Sequence, residues 1–318
     1  MTQAALPLAV VDEVTITTIV DNSVDILLAS NDVVRRHPLG QHAFEHPQPI
    51  AEHGFSTLIT VTRGAKRSVI LFDTGLNPRT FLYNLDALEI NAADIQAIVL
   101  SHGHADHVMG FSGLVQRLGS RSLPLVLHPD AYLERKVIFP NGDETFLPAP
   151  KKADLQRENI QVLEHVQPSM LIEDIVLVSG EVPRQTTFEQ GFPIHYAQRG
   201  QDWQPDPFIR DDQCAIMHVR EKGLVIVTGC GHSGIVNVIR NAQALTGVQT
   251  VYAVLGGFHL SGPLFEPIIP QTVAALQEIH PRYLVPTHCT GWRATHALAH
   301  AMSEAFIANS VGTRVILS

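Results

Sequence analysis

Lysine is scarce in this chain: five of its 22 basic residues are Lys and the rest are Arg. With a net charge of −9, it offers no broad cationic surface for nucleic acid, because binding a phosphate backbone needs clustered Lys and Arg. Cysteine is scarcer still. Cys214, Cys230 and Cys289 are too few and too dispersed for a disulfide framework, and no CxxC occurs. The expected location is a reducing cytoplasm. No apolar run approaches the ~18 residues of a membrane span, and Met1–Glu13 lacks the basic opening of a signal peptide. At 17% charged and 45% hydrophobic, the composition excludes general disorder. Arginine binds carboxylate or phosphate bidentately, so a small anionic substrate is compatible with these absences. Histidine, in contrast, is abundant, with 17 residues against 13 Phe.

The amino half reads as β-rich, with strand character at Val14–Val20, Phe55–Val61, Ser68–Phe72 and Ala97–Leu100. In the carboxyl half, strands at Leu224–Val227, Val251–Leu255 and Tyr283–Val285 alternate with helices. The helices are expected at about Ile235–Ala244, Pro270–Ile279 and Ala294–Ile307. This alternation indicates a layered α/β architecture. Residues 1–318 read as one domain with two irregular surface excursions, near 29–50 and 139–152. The first holds His37, His42 and His46; the second contains the turn residues Pro140–Asn141–Gly142.

The histidines cluster where apolar runs end. Ile98–Val99–Leu100–Ser101 leads directly into His102–Gly103–His104–Ala105–Asp106–His107. Residues two apart on extended chain project to the same side, so His102 and His104 can converge on one ion. Asp106 and His107 lie across the turn, where a second ion about 3.5–4 Å away can bind. Nitrogen donors with one carboxylate suit Zn, Mn or Fe rather than Ca or Mg. Asp73, Cys230, His232, His259 and His288 also follow apolar runs, and ligand chemistry in open α/β sheets gathers outside the carboxyl ends of strands. His288 and His232 read as ligands, and His259 as either a substrate-contacting or a structural residue. Asp73 is suited to orienting ligands from behind. Cys230 either bridges metals or packs. His296 and His300, spaced i,i+4, read as a helix-surface pair, and His128, His165 and His280 carry no constellation. His195 and His218 lie in strand-like stretches that assign them no role.

The run His102–Gly103–His104–Ala105–Asp106–His107, preceded by Asp73–Thr74–Gly75, resembles the HxHxDH signature of the metallo-β-lactamase superfamily. Val20–Asp21–Asn22, Glu52–His53–Gly54–Phe55–Ser56, Gly180–Glu181–Val182–Pro183–Arg184 and Asp211–Asp212–Gln213 narrow the resemblance to one branch. So do Thr228–Gly229–Cys230–Gly231–His232, Gly256–Gly257–Phe258–His259–Leu260 and His288–Cys289–Thr290–Gly291. Together these are similar to the dihydropterin–ribofuranosylaminobenzene phosphate synthase-like proteins. The resemblance implies an αββα sandwich with one or two divalent ions at its edge, Zn foremost with Mn or Fe as alternatives. It places His102 and His104 on the first metal, and Asp106, His107 and His288 on the second. The usual third histidine loop is missing, and Cys230 stands where a bridging Asp usually falls. His232, or else Asp212, is then the third ligand of the first metal.

Such a site implies a hydrolase. A bound zinc lowers the pKa of its water from ~15.7 to about 7 and so supplies a metal-bound hydroxide for a small ester, lactone or phosphodiester, anionic ones included. Asp106 would orient the nucleophile, His259 or His53 would give a proton to the leaving group, and Arg184 and Arg293 are candidate anion clamps. The alternative is a transferase condensing a pterin diphosphate with an arylamine. An iron-based redox role lacks any second cofactor domain. The expected partner is a small-molecule substrate, with no nucleic acid and no membrane; self-association into a homo-oligomer stays open.

Overall fold

The computed structural model describes residues 5–37, 46–119, 121–157 and 159–318. Two large sheets face each other. One runs, in spatial order, through strands Ile160–Glu164, Leu123–Leu127, Ala97–Val99, Lys66–Phe72, Ser56–Arg63, Glu13–Val20, Arg314–Leu317 and Val34–Arg35. The other runs through Ser169–Leu171, Val176–Val178, Cys214–Val219, Gly223–Thr228, Val251–Gly257 and Tyr283–Thr287, with Val10–Val11 paired beside Cys214–Val219. Strict alternation explains the layering, because successive strand residues face opposite sides. Ile70, Phe72, Val225 and Val227 point between the sheets into one shared core. Their neighbours Val69 and Leu71 pack outward under helices Pro78–Ala87 and Phe111–Leu118, while Leu224 and Ile226 pack under helices Ile235–Thr246, Ile269–Ile279 and Trp292–Ala301. A helix–sheet–sheet–helix sandwich results, as expected from the sequence.

Two boundaries differ from the sequence reading. The last helix stops at Ala301 rather than Ile307. Beyond it, Leu284 donates to the Ala305 carbonyl and Ile307 donates to the Leu284 carbonyl, so sheet-edge pairing overrides helical periodicity. The excursion after Phe139 is not irregular throughout: Glu144–Leu147 pairs with Arg135–Ile138 as a hairpin. With His195–Arg199 and Asp202–Pro205 it forms a four-stranded third sheet that the sequence reading missed. In the first excursion, Val34–Arg35 adds an edge strand beside Arg314–Leu317. His42, within residues 38–45, lies outside the described residues. Among the described residues no helix is long and apolar enough to cross a membrane.

Candidate metal centre

Parallel strands from both sheets end at one edge of the sandwich. Lys66–Phe72 and Ala97–Val99 deliver Asp73 and the 102–107 run; Gly223–Thr228, Val251–Gly257 and Tyr283–Thr287 deliver Cys230, His232, His259 and His288. Asp73, His259 and His288 all adopt positive φ, at 59°, 47° and 48°. Left-handed backbone at non-glycine residues costs energy and is concentrated at functional sites.

His102 Nε2, His104 Nδ1 and His232 Nε2 form a triangle with sides of 3.0, 3.1 and 3.2 Å. Tetrahedral Zn–N bonds of ~2.0–2.1 Å would place such nitrogens ~3.3 Å apart, so the triangle fits one ion. Burial, reinforced by neighbouring cationic groups, holds all three imidazoles well below the usual histidine range, which leaves their lone pairs free. Beside the triangle, Asp106 Oδ2 lies 3.2 Å from His288 Nε2, 3.4 Å from His53 Nε2 and 3.8 Å from His107 Nε2. His107 Nε2 also meets Cys230 Sγ at 3.1 Å. Burial alone would raise Asp106, but His107 and His288 outweigh it and keep the group a carboxylate. Burial alone would lower His107, yet Asp106 and Asp73 raise it to about 9. A cation against His107 Nε2 would take the place of that proton. The triangle thus has the spacing for one ion, and a second group of mutually close donors is formed by His53, Asp106 and His288, while His107 groups with His102 and Cys230 and reaches Asp106 at 3.8 Å. The Cys230 sulfur lies close to both His102 and His107, and also to His259 and Cys289. Burial pushes the Cys230 thiol up, so without a cation it stays protonated.

The centre is buttressed from behind. Asp73 Oδ2 accepts from His107 Nδ1 at 2.6 Å and from Ser101 Oγ at 2.7 Å, and Ser101 Oγ in turn meets His102 Nδ1 at 2.8 Å. These bonds assign the outer proton of both rings to Nδ1 and leave Nε2 facing inward. Asp21 accepts from the His288 backbone, and Asn22 Oδ1 lies 3.2 Å from His288 Nδ1. Asp212 is outside the donor sets; its Oδ2 holds the Ser233 N–H beside His232. Asp211, which the sequence reading gave no role, accepts from Gly103 N and from the buried Arg135. His195 was likewise missed: its Nε2 lies 3.2 Å from His104 Nε2.

Two sequence candidates, Arg184 and Arg293, sit apart from the ligand atoms, whereas His259 forms a further donor group with Cys230 and Cys289. The His259 ring packs 4.1 Å from His232 and 4.4 Å from Phe265 and helps to wall the first set with Phe192. Arg184 donates to the carbonyls of Phe208, Val182 and His232, so its guanidinium braces the His232 loop. Arg293 is largely exposed and pairs with Glu266 at 3.2 Å.

Two sheets packed between helices, with a histidine-rich donor cluster at the carboxyl ends of their strands, define an α/β sandwich with a candidate metal site at its edge. The profile of the Metallo-beta-lactamase superfamily matches residues 50–245, and the chain belongs to that superfamily and is an enzyme of its fold. It is 30% identical over 264 residues to the 7,8-dihydropterin-6-methyl-4-(beta-D-ribofuranosyl)-aminobenzene-5'-phosphate synthase of Methanocaldococcus jannaschii, which covers 80% of this chain and 87% of that protein. An uncharacterised protein of the same organism is 31% identical over 251 residues, or 78% and 88% of the two chains. Among solved structures, Tm1679, a metal-dependent hydrolase of the beta-lactamase superfamily, shares the fold with a TM-score of 0.71 at 23% identity, over 95% of this chain and 98% of that one.

Proposed function

We propose that this enzyme is a metal-dependent hydrolase of a small ester, lactone or phosphodiester. The observation that carries the reading is the triangle of three inward-facing imidazole nitrogens beside the Asp106–His288 pair. His102, His104 and His232 would hold one ion, and Asp106, His107 and His288 the other, with zinc best matched to the donors and Cys230 as a sulfur donor beside both. Ions bound there supply an acidified water and an electrophile for a carbonyl or phosphoryl oxygen. Asp106 Oδ2 accepts a hydrogen bond from the attacking water and orients it. His53, 68% exposed at its side chain and 3.4 Å from that oxygen, passes a proton to the leaving group from the solvent side. His259, Phe265 and Phe192 form a wall against which the substrate's apolar part packs.

A panel of chromogenic esters, lactones and phosphodiesters tests this, with His102→Ala as the control. Hydrolysis of at least one substrate by the zinc-loaded wild type, reduced at least about 100-fold in the variant, is expected. Equal rates on every substrate would rule the hydrolase out. The similarity to the Methanocaldococcus synthase supports a second reading, a transferase joining a pterin diphosphate to an arylamine. Condensation product from those two reactants, with no hydrolysis on the panel, would favour it.

A further inference from the structure

We infer that His195 is the positioning residue of the first metal set, a buried acceptor that holds His104 with Nδ1 toward the ion and Nε2–H away from it. This rests on reading His102, His104 and His232 as a metal set. Within the triangle His104 uses Nδ1, so the proton of its neutral ring belongs on Nε2. That nitrogen lies 3.2 Å from His195 Nε2. Two ring nitrogens at this distance attract only when one carries a proton and the other a lone pair. His195 must then be protonated at Nδ1, and Nδ1 lies 3.0 Å from the Asp206 carbonyl, which can only accept. One proton arrangement satisfies the whole chain: His104 Nε2–H donates to His195 Nε2, and His195 Nδ1–H donates to Asp206 O. The inner nitrogen of His104 is left bare.

His195 is placed to do this rigidly. It is fully buried, its backbone N–H donates to the Phe192 carbonyl, and its ring stacks on Phe192 at 5.8 Å. Its strand, His195–Arg199, pairs antiparallel with Arg135–Ile138, opposing His195 to Val137. Arg199 fixes the far end of that strand to Asp130 at 2.8 Å. The small third sheet thus braces the centre from outside the two main sheets. Metal-ligating histidines generally need such an acceptor for their outer N–H, and its loss weakens metal affinity by roughly 10–100-fold.

The direct test is a long-range ¹⁵N–¹H correlation spectrum of the zinc-loaded, histidine-labelled wild type. His104 protonated at Nε2 and His195 at Nδ1 is the expected result, and His195 protonated at Nε2 overturns the inference. If the wild type takes up no zinc, the metal reading falls and this inference with it; zinc uptake with the reversed tautomer overturns only the inference. Zinc affinity by chelator competition gives a second readout. His195→Leu should weaken one ion about 10–100-fold and leave the other, while His195→Gln, whose amide oxygen can accept from His104, should restore most of the loss. No loss in His195→Leu, or equal loss in both variants, contradicts it. Should neither variant fold, the wild-type tautomers decide.

Discussion

Gly103 separates the two histidines that open the metal-site run, and its position tolerates no side chain. A Cβ there would lie 1.9 Å from the Ala131 carbonyl oxygen and 2.7 Å from Arg135 Nη1. Gly103→Ala should therefore shift the backbone between His102 and His104, cost about 1–3 kcal/mol on chemical denaturation and weaken zinc binding. Wild-type zinc affinity in that variant would show that the 102–104 backbone has slack. Asp73 offers a complementary substitution. It accepts from His107 and Ser101, so Asp73→Asn should keep the fold but lower affinity for the second ion by about 10–100-fold, as read by chelator competition. The donors of the 102–107 run were legible in the sequence because they are contiguous and follow an apolar strand. His195, Asp211 and Arg135 were not. Their own neighbourhoods carry no metal-ligand spacing, and only tertiary pairing of short strands brings them behind His104 and Gly103.

Helix Ile235–Thr246 follows the His232 loop directly, and its capping is supplied from a distance. Gly234 at the N-cap provides no side chain; instead the Glu189 carboxylate accepts from the Val236 and Asn237 N–H groups at 2.9 and 3.0 Å. Negative charge at a helix N-terminus satisfies otherwise unpaired donors. Glu189→Ala should cost about 1–2 kcal/mol in thermal or denaturant unfolding. Burial raises the Glu189 pKa, and its hydrogen bonds to Val236 and Asn237 offset that only in part. A carboxyl with a raised folded pKa contributes stability below its unfolded pKa of about 4.3 and loses it as pH rises through the folded value. The wild type should accordingly lose stability relative to Glu189→Gln as pH is raised from 4 to 7; a constant difference would contradict this. The sequence located this helix to within two residues because its apolar spacing is helical. It overran the last helix, since the pairing of residues 305–307 with Leu284 is non-local and leaves no mark in the periodicity.

At the scale of the molecule, the candidate ligands come from both sheets, so ions between them would tie the halves of the sandwich together. A site that binds only the folded chain stabilises it by about 2.7 kcal/mol at a hundred times its Kd. Chelator-treated protein should melt lower than zinc-loaded protein by several degrees, and His232→Ala should reduce that difference. The layered fold was readable from strand–helix alternation. The third sheet was hidden, because its largely exposed strands Glu144–Leu147 and Asp202–Pro205 carry no apolar alternation, and the strand-like stretch at His195 showed nothing of its partners. Zinc stoichiometry tests the proposed two-ion centre most directly. Equilibrium dialysis of chelator-stripped wild type, His232→Ala and His288→Ala should give two ions per chain in the wild type and one tightly held ion in each variant. A wild type that binds no tight zinc, or variants that bind as many ions as the wild type, would contradict the centre described for these residues.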